Sequence, residues 1–429
     1  MLLRKNSKDR FWSVGLSTIF IGILVGMGAN ILGETLSFVE QLFLNFKEST
    51  VTPVSTNISS WQRFFSVLFG SIVSSFIWFF LHKKFELTSV DQALKGKKMS
   101  VIGTIIHDFV QTFYIGTGGS VGRESAPREL GAMIAQKWAQ LANKLFNFTL
   151  SRDDTRLLIA SAAGAGLAGQ YIAPLAGTFF TLEILYKHIN KKSIVISLSM
   201  SIIATLIGII KNGYKPYYNL GEKKISLNLV FFAIIISPIL GILGFLFKSF
   251  VSKAKNNKIK TPKILYSLPL AGLLTGVTAC FYPYVTGNGR GIAQFSYNIT
   301  GFSKSVTITL IIYILLKSII TIYTIYSGAY GGILTPSISI GAALGVLAGF
   351  VYVHFFSGVS LFECGLVGSV AFLSASQEAP LMAMFLVFEL CHLEPSSFIP
   401  MGMAAATSIG IYFFLKDNKI TDKLIKLMK

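Results

Sequence analysis

Long apolar runs set the terms for this chain. Residues 11–32 ("FWSVGLSTIFIGILVGMGANIL"), 229–247 ("LVFFAIIISPILGILGFLF") and 306–326 ("VTITLIIYILLKSIITIYTIY") are each long enough to cross a bilayer core of about 30 Å as a helix. In hydrocarbon every backbone N–H and C=O needs a partner within the protein, so lipid-exposed segments of this kind fold as helices. Composition agrees: 52% of residues are hydrophobic and 13% charged, with a mean hydropathy of +0.62, which excludes a soluble globular domain. The fold class expected is an all-α polytopic membrane protein, with membrane lipid as its main surround.

The formal charge of +19 does not point to nucleic acid, because the basic residues gather in short flanks between apolar runs. The richest flanks are the N-terminus, residues 248–263 and the tail 416–429. By the positive-inside rule both termini and the central linker face the cytoplasm, and the location expected is the cell membrane. The basic stretch 211–224 is left without a side. The first run is longer than a signal-peptide core and lacks a small-residue cleavage site, so it reads as a retained helix. Only a short basic tail follows the last long run at 398–415, so no separate soluble domain is expected. Cys280, Cys364 and Cys391 have no metal or redox spacing, nor do His82, His188, His354 and His392. No cofactor and no metal are expected.

Self-comparison finds a repeat. "AGQYIAPLAGTFFTLEIL" (168–185) matches "SASQEAPLMAMFLVFELC" (374–391), with Ala173-Pro174-Leu175 answering Ala379-Pro380-Leu381. Glu183 answers Glu389 at the same separation of 206 (380 − 174 and 389 − 183). A second pair sets Gly119, Gly122 and Pro127 against Gly328, Gly331 and Pro336, separated by 209 (336 − 127). The chain therefore divides into two homologous halves, 1–215 and 225–429. Repeated membrane proteins of this kind are mostly transporters and channels, with the site where interrupted helices of both halves meet near the midplane.

The glycine and proline clusters fall at membrane depth, where non-helical backbone is tolerated only beside a cavity or buried in protein. A glycine-rich entry followed by a helix leaves N–H groups unpaired at the positive end of the helix dipole. Two such entries face to face make an anion site without a lysine, and a site that holds its ion loosely enough to release it. The clusters "GVTAC" (276–280) and "GAALG" (341–345) read instead as close helix packing.

"GTGGSVGRESAPRELGA" (116–132) resembles the G-R/K-E-G-P signature of the CLC family of chloride channels and proton-coupled chloride transporters. "KSIITIYTIYSGAYGGILTPSISIGAALG" (317–345) resembles the family's G-x-F-x-P segment. "AAGAGLAGQYIAPLAGTFFTLE" (162–183) and "AFLSASQEAPLMAMFLVFEL" (371–390) resemble two further conserved segments. "TGNGRGIAQ" (286–294) falls on a glycine-rich loop of the family. The resemblance runs in order over roughly 80–429 and implies an inverted repeat of tilted and broken helices. It also implies a homodimer with one anion pathway per subunit. Glu124 falls on the gating glutamate, whose carboxylate stands in the pathway as a surrogate anion and leaves when protonated. The amides of Ile333 and Leu334 fall on the central anion site, and those of Arg123, Glu124 and Ser125 near the outer one. Arg123 is expected to anchor its loop through carbonyls or raise the local potential, since adjacent residues at a helix start point apart.

The departures from the family are specific. Ser125 and Ala126 stand where the signature has Gly-Pro, with the proline displaced to Pro127. The segment that carries the family's serine ligand reads "KKFELTS" (83–89), so Phe85 falls on the serine, and Thr88 and Ser89 are the nearest hydroxyls. Thr421 stands where the family has an anion-coordinating tyrosine. Ile184 occupies the place of the internal proton-relay glutamate, which weakens a proton-coupled reading without deciding it. His107-Asp108, at membrane depth where the family has a lysine, reads as a structural ion pair or as part of a proton path. Glu183 and Glu389 are expected to satisfy backbone N–H groups of the opposite half.

Function then reads as transport of chloride or another small anion, coupled to or gated by protons through Glu124. A passive channel, and a fluoride-selective branch of the family, remain as alternatives. A polytopic membrane enzyme built on His107-Asp108 or Arg123-Glu124 would need a nucleophile with a positioned base, and none stands at matched depth in both halves.

Overall fold

A computed structural model describes residues 2–146, 148, 150–221 and 225–417. Thr421 lies outside the described residues. The chain folds into helices α1 (Leu2–Leu44), α2 (Ser60–Lys84), α3 (Val90–Leu94), α4 (Val101–Gly116), α5 (Ser125–Phe146), α6 (Arg152–Tyr171), α7 (Pro174–Phe179), α8 (Lys191–Asn212), α9 (Leu229–Asn256), α10 (Ile264–Phe281), α11 (Arg290–Tyr297), α12 (Lys304–Tyr326), α13 (Leu334–Phe355), α14 (Leu361–Gln377), α15 (Pro380–Cys391) and α16 (Phe398–Asp417). Eight of these elements are long and apolar enough to cross a membrane, among them α1, α9 and α12, which carry the runs first picked out in the sequence.

The packing recurs in order. α1 lies on α6 and α8 as α9 lies on α14 and α16; α5 pairs with α6 as α13 pairs with α14; α2 meets α10, and α7 meets α15. Small residues set these close approaches. A Cβ on Gly345 would stand 2.2 Å from the Cys364 carbonyl oxygen, so α13 and α14 touch backbone to backbone there. Gly276 lies likewise against Phe64 of α2, where a Cβ would stand 3.0 Å from the ring. Both expected packing clusters therefore pack.

Two matched details mark where α7 and α15 meet. Glu389 accepts from the amides of Leu175 and Ala176 (2.9 and 2.8 Å), and Glu183 from those of Leu381 and Met382 (3.1 and 2.8 Å). Each glutamate thus caps the first turn of the other helix, the arrangement expected from their spacing. Between them Phe179 and Phe385 stack with ring centroids 4.8 Å apart and planes at 2°. The match ends at the exit of α7, which continues as a π-helix over Phe180–Tyr186. One residue is accommodated there that α15 lacks, so Lys187 and His392, both left-handed terminators, are 205 apart (392 − 187) while Glu183 and Glu389 are 206.

Asp154 joins three helix starts on one face. Its carboxylate completes the Ser151 capping box of α6, accepts from Arg10 Nε of α1 at 2.6 Å, and pairs with Lys192 of α8. At the other end of α1, the loop to α2 meets the stretch left unplaced by hydropathy: Thr50 Oγ1 donates to the Pro216 carbonyl and Tyr217 OH to Glu48. Residues 213–221 therefore lie across the membrane from Arg10.

Candidate anion site at the helix breaks

α4 and α12 end in the same way. Thr117 and Ser327 cap them, and Gly118 (φ +105°) and Gly328 (φ +115°) follow in a left-handed conformation that a side chain would strain. The chains then meet: Gly122 N–H donates to the Gly332 carbonyl at 2.7 Å, and Gly332 N–H to the Gly122 carbonyl at 2.8 Å. This bridge corrects the register taken from the sequence. Gly118 answers Gly328 and Gly122 answers Gly332, at a separation of 210 (332 − 122) rather than 209. Pro127 and Pro336 remain equivalent, each the third residue of its helix. The difference is one extra residue between Gly122 and Pro127. The displaced proline of "GRESAP" is an insertion in the turn that carries Glu124.

Glu124 is fully buried at this turn. Its Oε1 accepts from the Leu334 amide, the first of α13, at 2.7 Å. Its Oε2 makes no hydrogen bond among the described residues. The carboxylate lies in a cradle of glycines: a Cβ on Gly332 would stand 1.7 Å from Oε1, and one on Gly122 2.2 Å from Oε2. Only glycine fits at these two positions while the carboxylate is there. An anionic group therefore rests on the positive end of a helix, held by one backbone amide. Ile333, buried, caps α13 beside it, and Tyr171 OH meets Thr335 Oγ1 at 2.9 Å in the helix's first turn.

Among the described residues Arg123 neither pairs with Glu124 nor anchors its loop through carbonyls. Its guanidinium lies 3.3 Å from Glu48 and over the rings of Tyr171 and Tyr217 (5.3 and 5.1 Å). Glu48 also takes Arg290 at 2.9 Å and Tyr217 OH at 3.0 Å, and its own amide donates to Glu40. Burial alone would raise the Glu48 carboxyl, but Arg123 and Arg290 outweigh it and hold the group below the usual carboxylate range. Two arginines and two carboxylates, Glu48 and Glu40, thus form a charged cluster on one flank of Glu124. Sequence reasoning missed Glu48, Arg290 and Tyr217, because the Arg290–Glu48 contact spans 242 residues. Lys317 of α12 is buried with its ammonium on three neutral oxygens: Ser120 Oγ (2.9 Å) and the carbonyls of Val285 and Gly287 (3.1 and 2.6 Å). This ties the glycine-rich loop at 286–294 to the turn before Glu124.

On the other flank lies a cavity of about 590 Å³. Thr88, Ser89, His107, Ser125 and Ile184, all picked out in the sequence, line it together with Arg128, Glu129, Lys255, Lys258, Tyr330 and Gly331. Exposed Asn256 and Lys260 stand at its mouth. Neither candidate hydroxyl is idle: Thr88 Oγ1 donates to the Lys98 carbonyl at 3.1 Å, and Ser89 Oγ caps α3. Ser125 Oγ accepts from Arg128 at 2.9 Å. Phe85 belongs elsewhere, terminating α2 and packing into the apolar cluster around Trp78. His107 pairs with Glu129 of α5 (Nε2 to Oε2, 3.3 Å), which corrects the expected pairing with Asp108. Adjacent residues on a helix point apart, whereas α5 faces α4. Half-buried Lys258 lies 3.4 Å over the Tyr330 ring, and burial with Lys255 nearby pushes its ammonium down to about 7.

Known proteins resemble this arrangement along most of its length. A family model described as "Voltage gated chloride channel" matches residues 69–412. The voltage-gated ClC-type chloride channel ClcB of Citrobacter koseri is 26% identical over 87% of this chain and 90% of its own. That of Shigella flexneri is 27% identical over 86% and 88%. Among solved structures, a slow cyanobacterial Cl−/H+ antiporter superposes with a TM-score of 0.73 at 20% identity, covering 95% of this chain and 98% of its own. A CLC-type fluoride/proton antiporter does so with 0.68 at 19% identity, covering 94% and 95%. At these identities the structural likeness bears on the fold.

Proposed function

Because the chain belongs to the voltage-gated chloride channel family and is a CLC-type chloride transport protein, we propose that it couples chloride movement to protons through Glu124. The observation that carries this reading is the Glu124 carboxylate on the Leu334 amide, in a cradle that admits no other side chain. Ionised, Glu124 occupies the place of an anion at the start of α13. Protonated, it loses its charge and most of its attraction for the amide and the helix dipole. It swings out, and chloride takes the amides of Ile333 and Leu334. The amides of Arg123, Glu124 and Ser125 serve the outer approach, where Glu48 holds the guanidinium groups of Arg123 and Arg290 in place. Amide dipoles rather than a lysine keep the ion exchangeable.

The 590 Å³ cavity forms the inner approach. Its mouth carries Lys255, Lys258 and Lys260 of the basic linker, which the positive-inside rule sets in the cytoplasm with both termini. The protein resides in the cell membrane as a homodimer, and each subunit's pathway runs between its halves 1–215 and 225–429. The cytoplasmic face also holds Asp154 with Arg10 and Lys192.

Proteoliposomes loaded with chloride test the proposal when anion and proton movements are recorded together. Proton uptake driven uphill by the chloride gradient is expected. Anion flux that reverses at the Nernst potential with no proton movement would leave a passive channel.

A further inference from the structure

Ile184 leaves the inner cavity without the carboxylate that the resemblance expects at that position, yet the cavity has another carboxylate. We propose that Glu129 is the inner proton-accepting residue of this chain and passes protons through the cavity to Glu124, an inference that rests on the proton-coupled reading above. Glu129 and Ile184 line the same 590 Å³ space. That space reaches Ser125 and Gly331, the neighbours of Glu124 and of the Gly332 against which its carboxylate lies. Glu129 is five residues beyond Glu124, about 7.5 Å along the helix axis at 1.5 Å per residue, too far for direct transfer and near enough for a short water chain.

The surroundings of Glu129 favour a carboxylate that takes and gives a proton. From α4, Gln111 Nε2 donates to Oε2 at 3.0 Å and His107 Nε2 stands 3.3 Å from the same atom. Trp78 Nε1 donates to His107 Nδ1 at 3.1 Å, and an indole N–H only donates. Nδ1 is thereby an acceptor, the ring is neutral, and its single proton sits on Nε2 facing Glu129. Protonating His107 would break the Trp78 bond, so the mobile proton goes to Glu129, and His107 is a positioning residue. Asp108, also on α4, is buried with Oδ2 unbonded among the described residues, which disfavours a second ionised carboxylate alongside. Opposing charges come from Arg128 on α5, Lys255 on α9 and Lys258 on the linker, all lining the cavity, and Tyr330 faces it from the turn before α13. They attract chloride to the mouth and keep Glu129 acidic enough to release its proton. In the cycle a proton from water binds the Glu129 carboxylate, passes through cavity water to the Glu124 carboxylate, and frees the Leu334 amide for chloride. Glu129 is left ionised, and no other group is consumed.

Paired chloride and proton recordings on wild type, E129Q and E124Q/E129Q proteoliposomes test this. With coupled transport in the wild type, E129Q is expected to pass chloride while proton movement falls by about a hundredfold, the scale of a lost proton-transfer group. If E129Q passes neither ion, chloride flux restored in E124Q/E129Q supports the proposal too, because the neutral gate no longer needs the proton. A wild-type ratio of protons to chloride in E129Q overturns it, as does a double variant that stays silent. Chloride flux without protons in the wild type itself would remove the coupled reading first, a result distinct from either. For His107, H107Q is expected to shift the pH profile of proton movement, and an unshifted profile would remove its positioning role.

Discussion

At the scale of the residue, the account turns on one carboxylate and the glycines that make room for it. Gly332→Ala places a methyl where Glu124 Oε1 lies, 1.7 Å away, against backbone that the bridge to Gly122 holds in place. The carboxylate rather than the backbone should yield. Chloride efflux from the G332A variant is therefore expected to lose its dependence on pH, as in E124Q, with the protein eluting like the wild type. Full pH dependence in G332A would mean that the cradle does not hold the gate. Glu124 was legible in the sequence as an ionisable group wrapped in glycines at membrane depth. Its surroundings were legible only in part. Arg128 and Glu129 follow within five residues on the same helix and were open to the same argument. Glu48 was not, because a loop glutamate gives no sign of two arginines that reach it from distant sequence.

At the scale of the element, reciprocal capping and the corner after α14 make separate claims. Glu389 supplies both acceptors for the first turn of α7, so Glu389→Ala should destabilise by about 1–2 kcal/mol, the usual range for a lost helix cap. A thermal midpoint equal to the wild type would contradict that role. Glu378, in the left-handed corner between α14 and α15, accepts from Tyr412 and pairs with Lys248 of α9 (2.9 Å) and Lys416 of α16 (3.3 Å). Burial would raise its carboxyl, but Tyr412 and the two lysines bring it down to about 2. A carboxylate depressed in the folded state contributes stability above its unfolded value near 4.5, and that contribution is lost as pH falls toward 2. E378Q should thus be less stable than the wild type at pH 7, and the gap in thermal midpoint should narrow between pH 5 and pH 3. A gap that stays constant would show that the pair is not the cause. The repeat of these elements was legible because the capping glutamates keep a fixed distance from their prolines. The one-residue insertion before Pro127 and the π-helical residue after α7 were not, since both are absorbed in backbone geometry that leaves the apolar pattern intact.

At the scale of the whole molecule, hydropathy and repetition carried the architecture: apolar length dictates helices, and a duplicated chain with broken helices places the site where the breaks meet. The bridge between Gly122 and Gly332 sits at that meeting point, with the Arg123–Glu48–Arg290 ion cluster on one flank and a basic cavity on the other. The loop sides followed once Tyr217 was seen against Glu48, which hydropathy could not supply. The account's central claim is that the Glu124 carboxylate occupies the anion's own place on α13. Crystals of E124Q grown in bromide test it most directly by anomalous scattering. The account predicts a bromide peak within hydrogen-bonding distance of the Leu334 amide, where the wild-type carboxylate lies; bromide found only elsewhere in the pathway would contradict it.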